Sequence, residues 1–449
     1  MSMKKEIEYS VGKCERFSDD GQGIVVINGR KTFVPSLLIG DEAEIEILYR
    51  KKDFDVGRIH KLIKKSPYRI EPKCKCATSC GGCCFQNLDY KKELEFKAEF
   101  SKNIINRVGG FNFKDIPILG MDEPYYYRNK IQVPFGYDKQ DRLVYGFYKF
   151  KSHDIVPINE CVIEDKSHVE ILKNIKSLML SMKIDAYDED LDRGEIRHIL
   201  LRVGKVSKEI MVVLVTRHKT FRSKNNFVKE LVKLNKEITT VVQNVNERVT
   251  NVILGDYEET LYGPGFIYDS LLGVKFKISS KSFYQVNHDQ CEKLYGIALR
   301  SAELKKCDTV LDAYCGIGTI GLIASKYCKE VMGVEIVKEA IMDAKINAKI
   351  NNISNAKFIC DDASNFVFNN KFDCVFVDPP RKGLDDKFLH ALLVKKPKKV
   401  VYISCDVSTL ARDLKQFNRF YEIKSIQFVD MFPRTFHVES IVLLEKKIR

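Results

Sequence analysis

The sequence predicts an α/β protein whose carboxyl-terminal domain is a doubly wound parallel sheet, preceded by a small OB-like all-β barrel and a mixed α+β central domain. Three observations predict it. From Ser280 onward, short β-branched apolar runs alternate with segments of helical spacing, the pattern of repeated strand–helix units. Residues 7–62 instead hold five short apolar runs with Gly21, Gly23, Gly29 and Gly40 between or beside them, the punctuation of a closed barrel. Between these regions, strand-like and helical pieces mix without a fixed alternation. The expected domains are 1–62, 68–265 and 280–449.

In chain order, barrel strands are expected at Ile7–Arg16, Gly23–Ile27, Lys31–Val34, Ala43–Arg50 and Phe54–Leu62. Leu88–Val108 reads as a helix with dense Lys/Glu pairing. The central domain is expected to hold strands at Lys130–Phe135, Leu143–Tyr148, His198–Val203, Glu209–Val215 and Thr239–Asn244, with helices at Ser167–Met182 and Asn226–Asn235. The last domain is expected to carry parallel strands at Thr309–Ala313, Glu330–Val334, Lys357–Cys360, Cys374–Val377 and Val400–Ser404. A final pair, Ile423–Asp430 and Ser440–Glu445, should add an antiparallel edge.

Length, charge and cysteine usage narrow the function classes. The chain of 449 residues has no charged-then-apolar leader and no apolar stretch that could span a bilayer, which predicts a cytoplasmic protein without a membrane partner. Its 14 cysteines then point to metal ligation, catalysis or burial rather than disulfides. A net charge of +13 suits a polyanion, and from Arg58 to Lys75 seven Lys or Arg stand against one Glu. Basic runs also occur as plain solvated linkers.

Cys74, Cys76, Cys80, Cys83 and Cys84 crowd into eleven residues, a density that signals a metal site. Zinc on four local thiolates is one assignment. The spacing Cys76-x3-Cys80-x2-Cys83 also matches the cluster-binding triad of radical enzymes, although no barrel of βα units follows it.

The cofactor signal begins after the first parallel strand, with Asp312-Ala-Tyr-Cys-Gly316-Ile-Gly318-Thr-Ile-Gly321. Glycines there let the backbone turn tightly and approach a ligand, but the motif alone is weak. Glu335, 19 residues after Gly316, ends the next strand where a carboxylate can accept both ribose hydroxyls. Asp361 and Asp362 end the third, where one could receive an adenine amino group. An adenosyl ligand fits, either a dinucleotide or S-adenosylmethionine. Asp378-Pro379-Pro380 at the fourth strand tip favours the second, because two prolines make a rigid turn suited to holding a planar base beside a methyl donor.

Cys405 ends the fifth strand and is followed by polar Asp406 and Ser408. Methylating an exocyclic amine needs no thiol. Carbon 5 of a pyrimidine does, because a thiolate adding at carbon 6 turns carbon 5 into an enolate-like nucleophile. Cys307, Cys315, Cys360 and Cys374 read instead as buried, inert thiols.

Ser404-Cys405-Asp-Val-Ser-Thr-Leu-Ala-Arg-Asp, Asp378-Pro-Pro-Arg-Lys-Gly-Leu, Phe283-Tyr-Gln285-Val-Asn287 and His437-Val-Glu439-Ser resemble the RNA uracil-5-methyltransferase family over nearly the whole chain. The first barrel resembles that family's TRAM module. The resemblance implies a class I methyltransferase domain that uses S-adenosylmethionine. It implies Cys405 as nucleophile and Glu439 as the base that takes the carbon 5 proton. Asp378 would bond the uracil edge or the cofactor, and Phe283 would stack near the target base. Gln285, Tyr314, Glu335 and Asp362 would hold S-adenosylmethionine. The family's C-x5-C-x2-C pattern plus a distant cysteine implies a [4Fe–4S] cluster on Cys74, Cys80, Cys83 and Cys161, with a structural or RNA-shaping role.

A uracil buried in a duplex cannot meet a thiolate and a sulfonium together, so the substrate must be a loop or flipped base. The basic strap, the barrel and Tyr125-Tyr-Tyr-Arg128-Asn-Lys130 offer charge and stacking faces for RNA. Cluster-bearing relatives make large-subunit (23S) ribosomal RNA the expected substrate, with transfer RNA the alternative. A non-catalytic RNA-binding factor on the same scaffold is the rival from another class. The intact Cys405 and Glu439 argue against it.

Overall fold

The computed structural model describes residues 8–150 and 152–448, which divide into two compact units. One comprises the described residues up to Lys97 with Phe147–Val156 and Phe432–His437; the other comprises Ala98–Gly146, Pro157–Met431 and the described residues from Val438. No described helix is long and apolar enough to cross a membrane.

The first unit contains a six-stranded sheet. The strand expected at 7–16 breaks into Glu8–Lys13 and Arg16–Phe17, and its first expected residue, Ile7, lies outside the described residues. The break has a purpose. The first half pairs with Glu42–Arg50 and the second with Gly23–Ile27, so one bent strand closes both ends of the barrel. Inside it, Val25, Val34, Leu37, Ala43 and Ile45 form the apolar core.

In the second unit, the central sheet orders Leu143–Tyr148, Lys130–Tyr137, Ile196–Val203, Ile210–Thr216, Ile238–Val245 and Tyr257–Tyr262 side by side. Tyr257–Tyr262 and the hairpin Ile267–Leu271/Val274–Ile278 had no counterpart in the sequence reading. The first is largely exposed, so its apolar alternation is diluted. The hairpin turns through Leu272-Gly273, both at positive φ (48° and 72°). A leucine in place of the usual Asn or Asp hides that turn.

The catalytic-type sheet has eight strands. Ala356–Cys360, Glu330–Glu335, Thr309–Ala313, Cys374–Val377 and Lys399–Ser404 run parallel in that spatial order. Glu439–Lys446 and Tyr421–Val429 follow antiparallel to each other. The expected edge position of that pair is corrected: Ile118–Leu119 pairs with Tyr421–Val429 and forms the edge. Central strands are apolar on both faces, as Cys374–Val377 shows, because helices cover both sides. Val375, Val377, Val400, Tyr402, Phe388 and Leu410 lie in the core between them.

Two of the thiols read as buried are not. Cys307 precedes a strand in a surface turn, and Cys360 closes the sheet's edge strand; both are exposed, whereas Cys315 and Cys374 are buried.

Candidate active site

The parallel register sets the functional side chains at one level. Ala313 lies opposite both Val334 and Val377, so the next residues, Tyr314, Glu335 and Asp378, leave the carboxyl edge of the sheet together. Ligands bind at that edge in open α/β sheets.

Around Glu335 the backbone is shaped for a nucleoside. Gly316 and Gly318 have φ of 53° and 83°, and a Cβ at Gly316 would meet nothing within 4 Å. Gly316 N donates to Glu335 Oε2 at 3.3 Å, and Val337 N to Oε1 at 3.0 Å, fixing the carboxylate. Beside it Ile336 is 71% exposed and Val337 49%, an uncovered apolar ledge fit for an adenine face. Asp362 caps the helix Ala363–Asn369 through Asn365 N at 3.1 Å, which orients its side chain. Tyr314 adopts φ of 62° and packs edge-on against Phe388, with ring centroids 5.4 Å apart. These residues fit S-adenosylmethionine.

Sequence reasoning passed over Asp312. It is buried inside the apolar strand Thr-Val-Leu-Asp-Ala and accepts Gly321 N at 2.7 Å, tying the glycine loop to the strand. Burial pushes its carboxyl up to about 7. An acid inside an apolar strand was the available signal.

Cys405 sits in the turn between Lys399–Ser404 and the helix Val407–Phe417. Ser404 Oγ donates to Asp406 O (2.9 Å), and Asp406 caps the helix by accepting Thr409 N at 2.9 Å. The neighbouring strand runs antiparallel with Ser404 opposite Ser440, so Glu439 takes the place across from Cys405. Thirty-four residues of sequence separate the two, and one register brings them together.

The electrostatics of the trio are uniform. Burial, then Glu439 and Asp378, push the Cys405 thiol up to about 11, while Arg381 pulls it down. Burial, then Asp378, push Glu439 up to about 8, and Arg381 again opposes. Burial alone holds Asp378 at about 7. Burial therefore favours the protonated form of each member of the trio. Arg381, the cation that favours both ionised forms, was quoted in the sequence motif but given no role.

The loop bearing Arg381 is clamped from beneath. Asp413 is buried and accepts Leu384 N (3.0 Å) and Tyr402 OH (2.7 Å). Arg412 Nη2 donates to Lys382 O (3.2 Å) and Leu384 O (3.0 Å), and Thr409 Oγ1 donates to Arg381 O (3.1 Å). Gly383 is required there: at φ +74° a Cβ would meet Arg412, Asp413 and Thr409 within about 3.0 Å.

Gln285 is buried and hydrogen-bonded to Tyr295, whose hydroxyl is pushed up by burial, Cys291 and Asp378. It therefore lies under the Asp378 side of the site. Phe283, two residues earlier, is 70% exposed. An aromatic left that open suits stacking on a base.

The cysteine cluster is less gathered than its spacing implies. Gly82 N donates to Cys80 Sγ at 3.4 Å and Gln86 Nε2 to Cys83 Sγ at 3.5 Å. Burial, then Cys80 and Cys74, push the Cys83 thiol up to about 12. Among the described residues, however, no three His, Cys, Asp or Glu side chains converge as a metal-holding group. Cys161 belongs to the other compact unit.

Residues 89–447 match the tRNA (Uracil-5-)-methyltransferase family, and residues 11–68 match the TRAM domain of tRNA (uracil(54)-C(5))-methyltransferase. An uncharacterized RNA methyltransferase of Halalkalibacterium halodurans is 41% identical over 440 residues, covering 96% of each chain. One from Staphylococcus aureus is 40% identical over 446 residues, covering 98% of each. Among solved structures, Pyrococcus abyssi tRNA (uracil-54, C5)-methyltransferase in complex with S-adenosyl-L-homocysteine superposes with a TM-score of 0.81 at 31% identity. That match covers 97% of this chain and 100% of the other.

Proposed function

From the chain's membership of the tRNA (uracil-5-)-methyltransferase family, which makes it an S-adenosylmethionine-dependent RNA uracil-5-methyltransferase, we propose how its own residues carry the reaction and on which RNA. S-adenosylmethionine, when bound, supplies an electrophilic methyl group. Gln285, Tyr314, Glu335 and Asp362 hold it at the sheet edge. Asp378 orients the uracil edge, and Phe283 stacks near the base. Cys405, once its thiol has lost its proton, adds to carbon 6, which makes carbon 5 nucleophilic; the carbon 5–methyl bond would then form as the donor's sulfur–methyl bond breaks, with S-adenosylhomocysteine as the leaving group. Glu439 removes the carbon 5 proton, the Cys405–carbon 6 bond breaks and the thiolate leaves. The observation that carries this assignment is the register that sets Glu439 across from Cys405.

Two RNA classes compete as substrate. The cysteine pattern supports 23S ribosomal RNA. The family's description and the likeness to Pyrococcus abyssi tRNA (uracil-54, C5)-methyltransferase support transfer RNA equally. With either substrate, the proposed location is the cytoplasm. Mass-spectrometric mapping of 5-methyluridine in both RNA pools, with and without this gene product, should show one specific uridine losing its methyl group. Unchanged maps in both pools would sink the proposal.

We extend it to a [4Fe–4S] cluster held by Cys74, Cys80, Cys83 and Cys161. The support is the soft, all-thiol donor set in the spacing that the family resemblance implies. Methyl transfer is polar and moves no lone electron, so the cluster's part is structural. Anaerobic purification should give brown protein with iron and sulfide. Colourless protein with stoichiometric zinc would rule the cluster out.

A further inference from the structure

The strand Lys130–Tyr137 runs antiparallel to Ile196–Val203, and its register sets Arg202 directly opposite Lys130. Directly opposed residues share one face of a sheet, where like charges repel. Arg202 is also buried, 2% exposed. Its Nη2 donates to Ser282 O at 2.9 Å, while Nε and Nη1 meet no acceptor among the described residues. Arg128 completes the group, donating from Nε to Lys130 O at 3.1 Å. Burial, then Arg202 and Arg128, push the Lys130 ammonium down to about 8. No carboxylate is among the groups that shift Lys130 or Arg202; the Tyr284 phenol, itself pushed up by burial, is the one acidic group among those that shift Arg202. Arg128, by contrast, lies beside the buried Glu164, whose carboxyl it pulls down. A fold rarely sets two cations such as Lys130 and Arg202 face to face without a carboxylate unless an anion arrives to use them.

The location identifies the anion. Arg202 is bonded to the carbonyl of Ser282, and the next residue is Phe283 with its open ring. Cations beside an aromatic stacking face form the standard grip on single-stranded nucleic acid. The geometry points to Lys130 and Arg128, backed by Arg202, as a binding site for one RNA backbone phosphate beside the base stacked on Phe283. Lys130 and Arg128 are only half-buried and reach the phosphate; Arg202 supplies charge from beneath and holds the Phe283 loop. This rests on the RNA-methyltransferase reading and adds to it the point where the strand is gripped.

The test uses the full-length protein saturated with S-adenosylhomocysteine and fluorescent oligouridylate, with binding measured across a salt series. In Lys130→Gln, affinity should fall about fivefold at low salt, and the slope of log K against log salt should shrink by about 0.7, the loss of one phosphate contact. Arg202→Met should lose affinity in the same way, and Arg202→Lys should regain part of it. An oligouridine with uncharged methylphosphonate linkages should bind wild type and Lys130→Gln alike. S-adenosylhomocysteine affinity should match wild type in each variant, which reports an intact fold. If Arg202→Met does not fold, Lys130→Gln decides. An unchanged salt slope in Lys130→Gln, or an equal loss on the uncharged strand, overturns the site. Failure of the methylation reading would look different: no methyl incorporation into any uridine, with the phosphate-dependent slope intact.

Discussion

Replacing Cys405 with alanine should reduce methyl transfer by about 10⁴-fold or more, some 5.5 kcal/mol of transition-state stabilisation, because carbon 5 then keeps its weak intrinsic nucleophilicity. The substitution removes one sulfur from a turn whose hydrogen bonds are made by Ser404, Asp406 and Thr409, so the fold should persist. Binding of S-adenosylmethionine, followed by calorimetry, should remain near wild type. RNA containing 5-fluorouridine gives a second readout. Fluorine cannot leave as a proton, so wild-type protein should trap a covalent adduct stable to denaturing gels, and Cys405→Ala should trap none. Turnover at the wild-type rate by the alanine variant would refute the nucleophile.

Glu439→Gln should separate the two halves of the reaction. The glutamine cannot take the carbon 5 proton, so the methylated adduct should accumulate while product release slows by about 10²–10⁴-fold. The sign of the pH dependence follows from the environment. Burial and Asp378 hold Glu439 at about 8, so at neutral pH it is mostly protonated and unable to act as a base. The thiol, at about 11, also gains reactivity as protons leave. Turnover by wild type should therefore rise with pH through about 8, and the Glu439 limb should vanish in Glu439→Gln. Tritium release from carbon 5 of labelled RNA measures this step directly. A variant that releases tritium at the wild-type rate would exclude Glu439 as the base.

These two expectations share an origin in the charge pattern. Cys405, Glu439 and Asp378 form a graded set: ionised Asp378 makes both Glu439 and Cys405 harder to ionise, and ionised Glu439 does the same to Cys405. Only Arg381 opposes them among the groups that shift both Cys405 and Glu439. A cationic methyl donor at the same sheet edge would tilt that balance toward thiolate and carboxylate, coupling nucleophile activation to cofactor binding.

Much of this was legible in the chain itself. Local hydrophobic period fixes which segments are strands, and the residue just past an apolar run is a strand tip in any parallel sheet. That is why Tyr314, Glu335, Asp378 and Cys405 could be placed at the sheet edge from their positions alone. Tertiary structure decided what lies opposite what. Pairing between distant strands is set by core packing and register, which leave no mark in local composition. Glu439 across from Cys405, Arg202 across from Lys130, the broken barrel strand and the Asp413 clamp under Gly383 all arise at that level. The same cause exposed Cys360, whose strand turned out to be the sheet's edge, where one flank has no neighbour to bury it.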